Sequence, residues 1–303
     1  MAAPVPRSSG NLIADRRYAY ASDMRGDGLH AEAAGLIEQA LELAPDWPEG
    51  WMGLAEAREA AGDVPGALAA LAEVLRLDPE DGLGAGLNRV RLGAAPTPDA
   101  PPPAYVRDLF DAYADDFEAA LVDRLGYQAP RFIAAALDRA APGRMFGHGL
   151  DLGCGTGLMA EALVGRVARL DGVDLSPAMV AKARLKGLYA DLRVAELVAD
   201  LAAPVGPYDL LLAADVFCYL GDLAPVLAAA RARAVADAIL AFSVERGGAG
   251  FQLADSLRYR HSADYLAGAL ATAGWTDVVL TPAPLRRDRG EDIAGLVVTA
   301  RAG

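Results

Sequence analysis

Lysine is almost missing from this chain: of 28 basic residues only Lys182 and Lys186 are lysines. Alongside so much alanine, this points to GC-rich coding rather than to a binding adaptation. Basic residues are also outnumbered, by 41 acidic ones, for a net charge of −13. Polyanion binding needs a basic surface, so the balance speaks against a nucleic-acid partner. Cysteine is confined to Cys154 and Cys218, too few for a disulfide framework or a zinc cluster and in keeping with a reducing cytosol. The three histidines, His30, His148 and His261, are scattered without metal-ligand spacing. No window approaches the roughly 18 apolar residues of a membrane helix. The amino terminus, Met-Ala-Ala-Pro-Val-Pro-Arg, lacks the apolar core of a signal peptide. The expectation is a cytoplasmic protein with no metal, no membrane partner and no nucleic acid. Apolar residues, by contrast, make up 53% of the 303 positions, ample for two domains with sizeable cores.

Residues 14–81 repeat with a period of 34: Gly28 recurs as Gly62, Ala33 as Ala67, Ile37 as Leu71 and Pro45 as Pro79. This is the tetratricopeptide period. In the second copy Trp51, Leu54, Ala55, Gly62, Ala67, Leu71 and Pro79 stand at the repeat's spacings; the first copy is more degenerate, with Tyr20 and Ala21 in its first helix. A further helix over 84–92 reads as a half-repeat cap. So short an array is expected to pack on the following domain or on a second subunit, as in a homodimer. It serves either as a structural or dimerising appendage or as a protein-binding groove, and no basic carboxylate clamp is evident on its helices. The domain boundaries expected are 1–93 for the repeats, 94–103 for a proline-rich linker in extended form, and 104–303 for a second domain.

The second domain alternates helix and strand. An amphipathic helix is expected from Tyr105 to Leu125, with Val106, Leu109, Phe110, Tyr113, Phe117 and Leu121 on one face. Another covers 130–140. Strands are expected at 149–152, 169–174, 192–197, 208–213 and 237–243, with helices at 158–165, 177–186 and 223–235. A helix at 262–273 and strands at 276–281 and 294–300 close the chain. Such alternation implies a parallel α/β sheet, with the last strand antiparallel.

The decisive stretch is His148-Gly149-Leu150-Asp151-Leu152-Gly153-Cys154-Gly155-Thr156-Gly157-Leu158. A strand ending in an acid, then glycines at alternate positions, then a helix, marks a nucleotide-type cofactor site. A dinucleotide fold prefers G-x-G-x-x-G. Here the spacing is G-x-G-x-G, and Asp151 would oppose a phosphate while suiting a ligand with a cationic amino-acid end. S-adenosylmethionine is such a ligand.

On these residues the chain resembles the class I S-adenosylmethionine-dependent methyltransferases over roughly 104–303. The resemblance implies a Rossmann-like sheet of seven strands behind the all-α repeat module. It also implies a cofactor site of Asp151, Gly153, Cys154, Gly155 and Gly157, with Asp174 on the ribose hydroxyls and Leu175 and Met179 following it. Glu196 and Leu197, at the end of the third strand, would meet the adenine, Glu196 being preferred over Asp200, which is expected as a surface or helix-capping carboxylate. Asp215 and Tyr113 complete the set near the cofactor mouth. Asp209 and His148 are expected to be structural. A narrower likeness, to bacterial predicted methyltransferases with amino-terminal tetratricopeptide repeats, rests on residues 109–117, on Arg258-Tyr259-Arg260-His261-Ser262 and on Leu285-Arg286-Arg287.

Methyl transfer from a sulfonium needs positioning and desolvation more than acid–base groups. Where a proton must leave the acceptor, His261 beside Tyr259 is the candidate base, with Tyr219 at the strand end as a further catalytic group. Arg258, Phe217 and Tyr219 are candidates for acceptor binding, Arg258 by pairing with a carboxylate; Arg286 is expected in a surface salt bridge to Asp288 or Glu291. The function expected is methylation of an oxygen or nitrogen on a small molecule. The alternatives are a protein acceptor recruited by the repeats and a scaffold that binds cofactor without turnover. A nicotinamide dehydrogenase is a more remote reading.

Overall fold

The computed structural model describes residues 7–115, 117–118, 126–204, 206–288 and 291–303. It divides into two compact units, Met1–Thr97 and Pro98–Gly303.

The first unit consists of antiparallel helix pairs. Helix α1 (Leu12–Gly26) is started by Asn11, whose side chain accepts from the Ile13 and Ala14 amides, and is followed by α2 (His30–Leu41). Then come α3 (Pro48–Ala60), α4 (Val64–Leu77) and the short α5 (Ala85–Arg91). Gly28 and Gly62 turn the chain between partners with φ of 81° and 85°, a left-handed geometry in which a side chain is strained. The repeating alanines do the packing: Ala33 and Ala67 are both fully buried. Ile37, Leu41, Leu54, Leu71 and Val74 form the core between the pairs.

The second unit is an α/β sheet. It opens with α6 (Pro103–Tyr113) and α7 (Ala129–Ala140), each with proline in its first turn. The single helix expected from Tyr105 to Leu125 instead breaks in a turn at Ala114 and Asp115; Leu121 lies outside the described residues. Strand β1 (Phe146–Leu152), α8 (Leu158–Ala162), β2 (Val167–Asp174), α9 (Pro177–Lys186) and β3 (Asp191–Val194) follow. After them come α10 (Leu197–Ala202), β4 (Tyr208–Ala213), α11 (Ala224–Arg233) and β5 (Ala234–Arg246). The chain closes with β6 (Phe251–Leu253), β7 (Tyr259–His261), α12 (Ala263–Thr272), β8 (Trp275–Asp288) and β9 (Glu291–Ala302).

The sheet has nine strands among the described residues rather than seven. Its order β3-β2-β1-β4-β5 is parallel throughout. Antiparallel β9 joins β5 and carries β8 on its far side. The two additional strands form a hairpin, β6–β7, with β7 pairing only Glu245 and Arg246 at the far end of β5. They exist because β5 runs on to Arg246, past the edge where 243 had been its expected end. Both faces of the sheet are covered. Leu211 and Ala213 point into one core with Leu240 and Phe242, while Leu210 and Leu212 point into the other with Ile239 and Ala241. That accounts for strands that read as unbroken apolar runs.

The second half of the expected linker is fastened to this unit. The Asp99 carbonyl accepts the amides of Gly221 (2.9 Å) and Asp222 (2.8 Å), and the Pro98 carbonyl accepts the Tyr259 hydroxyl at 3.0 Å. Among the described residues no helix is long and apolar enough to cross a membrane.

Candidate active site

The sheet order reverses direction between β1 and β4, the switch point at whose carboxyl edge open α/β sheets take their ligands. The glycine loop leaves β1 there. Gly153, Gly155 and Gly157 have φ of 68°, 52° and 95°. A Cβ on Gly153 would also stand 2.5 Å from Val216 Cγ2. Gly153→Ala is therefore expected to destabilise the protein by about 1–2 kcal/mol from backbone strain alone, and by more from the clash. Urea unfolding measures both, and Val216→Ala added to it should recover only the part due to the clash.

Asp174 ends β2 and is 9% exposed. Its Oδ2 accepts the Gly155 amide at 2.8 Å and its Oδ1 the Ser176 amide at 2.9 Å, so one carboxylate ties the loop to the start of α9. Burial raises its pKa against the pull of those amides. Ser176 caps α9 by accepting the Met179 amide at 3.1 Å, and it donates its hydroxyl to Asp111 of α6. Two ion pairs join the segment after α6 to α9: Lys182 with Asp115 and Lys186 with Glu118, each at 2.7 Å. Leu175 is half-buried and Met179 fully buried beside this cap, and Tyr113 ends α6 half-buried.

Asp151 is 1% exposed. Its Oδ2 accepts the Tyr189 hydroxyl at 2.7 Å, and its Oδ1, equally buried, has no hydrogen-bond partner. Burial pushes its pKa up to about 7; the Tyr189 hydrogen bond works downward and the Asp174 charge upward. Cys154 is buried with its thiol held far from ionisation, chiefly by that burial, so it fills space in the loop.

Beyond β3 the structure corrects the expected strand: β3 stops at Val194, and Glu196 is the N-cap of α10. Its carboxylate accepts the Val198 and Ala199 amides at 3.0 and 2.8 Å. Leu197 is the first residue of α10. Asp200 is no surface group. It is 4% exposed and paired with Arg193 Nε at 2.6 Å.

At the carboxyl end of β4, Asp215 adopts φ 59°. It accepts Arg286 Nη1 at 3.0 Å and Arg258 Nη2 at 3.2 Å. Burial acts to raise its pKa, but the charges of Arg258 and Arg286 prevail and hold it below the usual carboxylate range. Arg286 also binds Glu245, itself 1% exposed. Arg286 is thus a buried member of an ionic network, not the expected surface residue; its neighbour Arg287 takes the exposed pair, with Asp292 at 3.1 Å. Arg258 lies over the Tyr219 ring, 4.7 Å from its centroid, and donates to the Tyr219 hydroxyl at 2.6 Å. Phe110 of α6 meets the same ring edge-on at 5.1 Å.

Three expected site residues lie elsewhere. His261 is fully buried, with Nε2 on the Gly221 carbonyl at 3.0 Å and its ring stacked on Tyr265. Burial lowers its pKa, and it supports the turn at Gly221 instead of serving as a base. Tyr259 is fully buried on the Pro98 carbonyl. Phe217 is fully buried against Phe242, 4.9 Å between ring centroids, so it is core and not an acceptor contact. Asp209 and His148 are structural as expected: Asp209 accepts the Gly147 and His148 amides, and His148 Nε2 meets Asp171 at 2.8 Å.

Residues 150–240 match the family model of a methyltransferase domain, and residues 24–88 match that of a tetratricopeptide repeat. The second unit carries a methyltransferase domain. Human methyltransferase-like protein 27 is 34% identical over 134 residues, covering 43% of this chain and 54% of that protein. A ubiquinone biosynthesis O-methyltransferase of Xylella fastidiosa is 33% identical over 82 residues, 26% of this chain and 33% of the relative. The chain thus spans about half of the first relative's length and a third of the second's. Among solved structures, the DhpI–S-adenosylhomocysteine complex superposes with a TM-score of 0.51 at 21% identity, covering 66% of this chain and 97% of that one. The 1,6-didemethyltoxoflavin-N1-methyltransferase of Burkholderia thailandensis gives 0.50 at 22%, covering 69% and 93%. Two residues of the second unit's interior, Tyr189 and Glu245, escaped the sequence reading.

Proposed function

We propose that the chain transfers a methyl group from S-adenosylmethionine to an oxygen or nitrogen of a small molecule, acting in the cytoplasm, as its two buried unpaired cysteines suit. The observation that carries this reading is Asp151. A buried carboxylate with an unpartnered oxygen, beside three left-handed glycines, suits a ligand with a cationic end and repels a phosphate. When bound, the donor supplies a methyl group on a good leaving group. The chain's own part is to bind, orient and exclude water.

In that reading Asp174 accepts the two ribose hydroxyls, since each of its oxygens keeps a lone pair beyond the amide it already holds. Asp151 takes the ammonium. Glu196 and Leu197, at the α10 start, take the adenine amino edge, and Leu175, Met179 and Tyr113 wall the site. Tyr219 and Arg258, held by Asp215, face the acceptor end. Because His261 and Tyr259 are buried on backbone carbonyls, no histidine is assigned to proton removal, and rate rests on positioning.

A small acceptor is supported by α6 and the segment after it, tied to α9 through Asp111, Asp115 and Glu118. The names of two similar proteins, for ubiquinone biosynthesis and for a toxoflavin precursor, point the same way. The repeats favour a protein partner as a second element: residues 24–88 match the family model of a tetratricopeptide repeat. Isothermal titration should give binding of S-adenosylmethionine and none of NAD; the reverse would overturn the reading. Cell extract incubated with the enzyme and a methyl-labelled donor should carry the label in metabolites. Label in protein would shift the acceptor to a polypeptide recruited by the repeats.

A further inference from the structure

Two glycines at the cofactor loop and on β2 lie against one aromatic ring. A Cβ on Gly172, in the middle of β2 with ordinary backbone angles, would stand 2.8 Å from Leu192 Cδ2 and 3.0 Å from both Cδ1 and Cε1 of Tyr189. A Cβ on Gly157, the last glycine of the loop, would stand 3.2 Å from Tyr189 Cε2. Both positions border the same ring. Tyr189 lies in the short connection after α9, which ends at Gly187 with φ 65°. The next residue, Ala190, is pinned by donating its amide to the Leu170 carbonyl at 2.7 Å. Seated this way, the phenol delivers its hydroxyl to Asp151 Oδ2 at 2.7 Å. It takes one carboxylate oxygen and leaves the other, buried and without a partner.

We propose that Tyr189 is a positioning residue of the cofactor site, its hydroxyl fixing Asp151 so that the free oxygen is held ready for the ammonium of the methyl donor. This rests on the reading of Asp151 given above and extends it to a residue of the opposite connection. A carboxylate in an apolar surround rotates and protonates unless one oxygen is anchored by a donor. Tyr189 supplies both restraints: orientation by hydrogen bonding and a bias toward the ionised form.

The groups facing Asp151 are few. Tyr189 comes from the α9–β3 connection, Asp174 from the end of β2, Cys154 from the loop itself and Tyr127 from the start of α7. The thiol and both phenols are pushed upward by burial and stay neutral near neutral pH. Asp174 is the other titrating charge, and it is common to wild type and variant. The sign follows. With Asp151 titrating at about 7, a donor's ammonium meets a carboxylate above that pH and a neutral acid below it. Affinity should fall as pH drops through 7. Removing the Tyr189 hydroxyl removes a stabiliser of the anion, so the fall should begin at higher pH.

The test uses the full chain, isothermal titration from pH 5.5 to 8.5, and two probes. S-adenosylhomocysteine keeps the amino-acid end; 5′-methylthioadenosine lacks it. Tyr189→Phe should move the midpoint of the S-adenosylhomocysteine profile up by about one pH unit, the equivalent of one charged hydrogen bond. It should also weaken binding at pH 7 roughly tenfold, leaving 5′-methylthioadenosine unchanged. An unmoved midpoint with wild-type binding intact overturns the role of Tyr189 alone. Loss of both probes together in the variant overturns it as well, because the ring would then be only a prop for the loop. Failure of wild type to bind either probe overturns the cofactor reading itself.

Discussion

Asp174→Ala should weaken S-adenosylmethionine binding by at least about a hundredfold. Each ribose hydroxyl bonded to a carboxylate contributes about 1.5–3 kcal/mol, and the substitution removes two such bonds. It also releases the amides of Gly155 and Ser176, which Asp174 holds at 2.8 and 2.9 Å, so the loop loses its tie to α9 before any ligand arrives. Asp174→Asn separates the two effects. Its single acceptor oxygen can serve one amide, while its NH2 group confronts the other donor. The asparagine variant should therefore bind more tightly than the alanine one yet well below wild type. Titration calorimetry measures this directly, and an alanine variant with wild-type affinity would show that the ribose lies elsewhere.

The second large effect concerns stability. Glu245 is 1% exposed and its charge is met by Arg286, 5% exposed, with Arg260 Nε at 3.7 Å and Arg258 Nη1 at 3.8 Å. Glu245→Ala leaves two buried guanidinium groups facing Asp215 alone. Removing one partner of a buried pair costs about 3–5 kcal/mol, chiefly through the uncompensated charge that stays behind. Urea denaturation should record a loss of that size. The double variant Glu245→Leu with Arg286→Leu should recover most of it, because a buried ion pair contributes little net stability against an apolar pair of similar volume. A double variant no more stable than the single one would mean that Glu245 acts through Arg258 or Arg260 and not through Arg286.

These residues also mark where the sequence stops being legible. The glycine loop and Asp174 could be read from local pattern, because a left-handed turn and a strand-end acid are written in consecutive residues. The repeats could be read because their period is written twice. Arg286 was misread because its partners lie 41 and 71 positions away, and nearby Asp288 and Glu291 offered a local alternative. Tyr189 was passed over for a similar reason: it sits in a connection without periodicity, and its partner is 38 residues upstream. The β6–β7 hairpin was missed because its strands are three residues long, too short for alternation to stand out. Yet the alternation is there. Tyr259 and His261 point inward and Arg260 outward, so two-residue periodicity carries the signal that both are interior groups. Glu196 was assigned to a strand because an acid after an apolar run looks the same whether it ends a strand or caps a helix. Its hydrogen bonds to the Val198 and Ala199 amides decide for the cap.

The scarcity of lysine has a practical side. Lys182 and Lys186 are the only ε-amines in the chain. Both stand on α9 in ion pairs with Asp115 and Glu118, and the Lys186 stem passes 3.5 Å from where a Cβ on Gly157 would sit. Reductive methylation with ¹³C-formaldehyde would therefore place its side-chain labels at this one locality. Two dimethylammonium resonances would report on the glycine loop and the segment across from it, free of the crowding that lysine-rich proteins impose. Ligand occupancy could then be followed by NMR without introducing a single mutation.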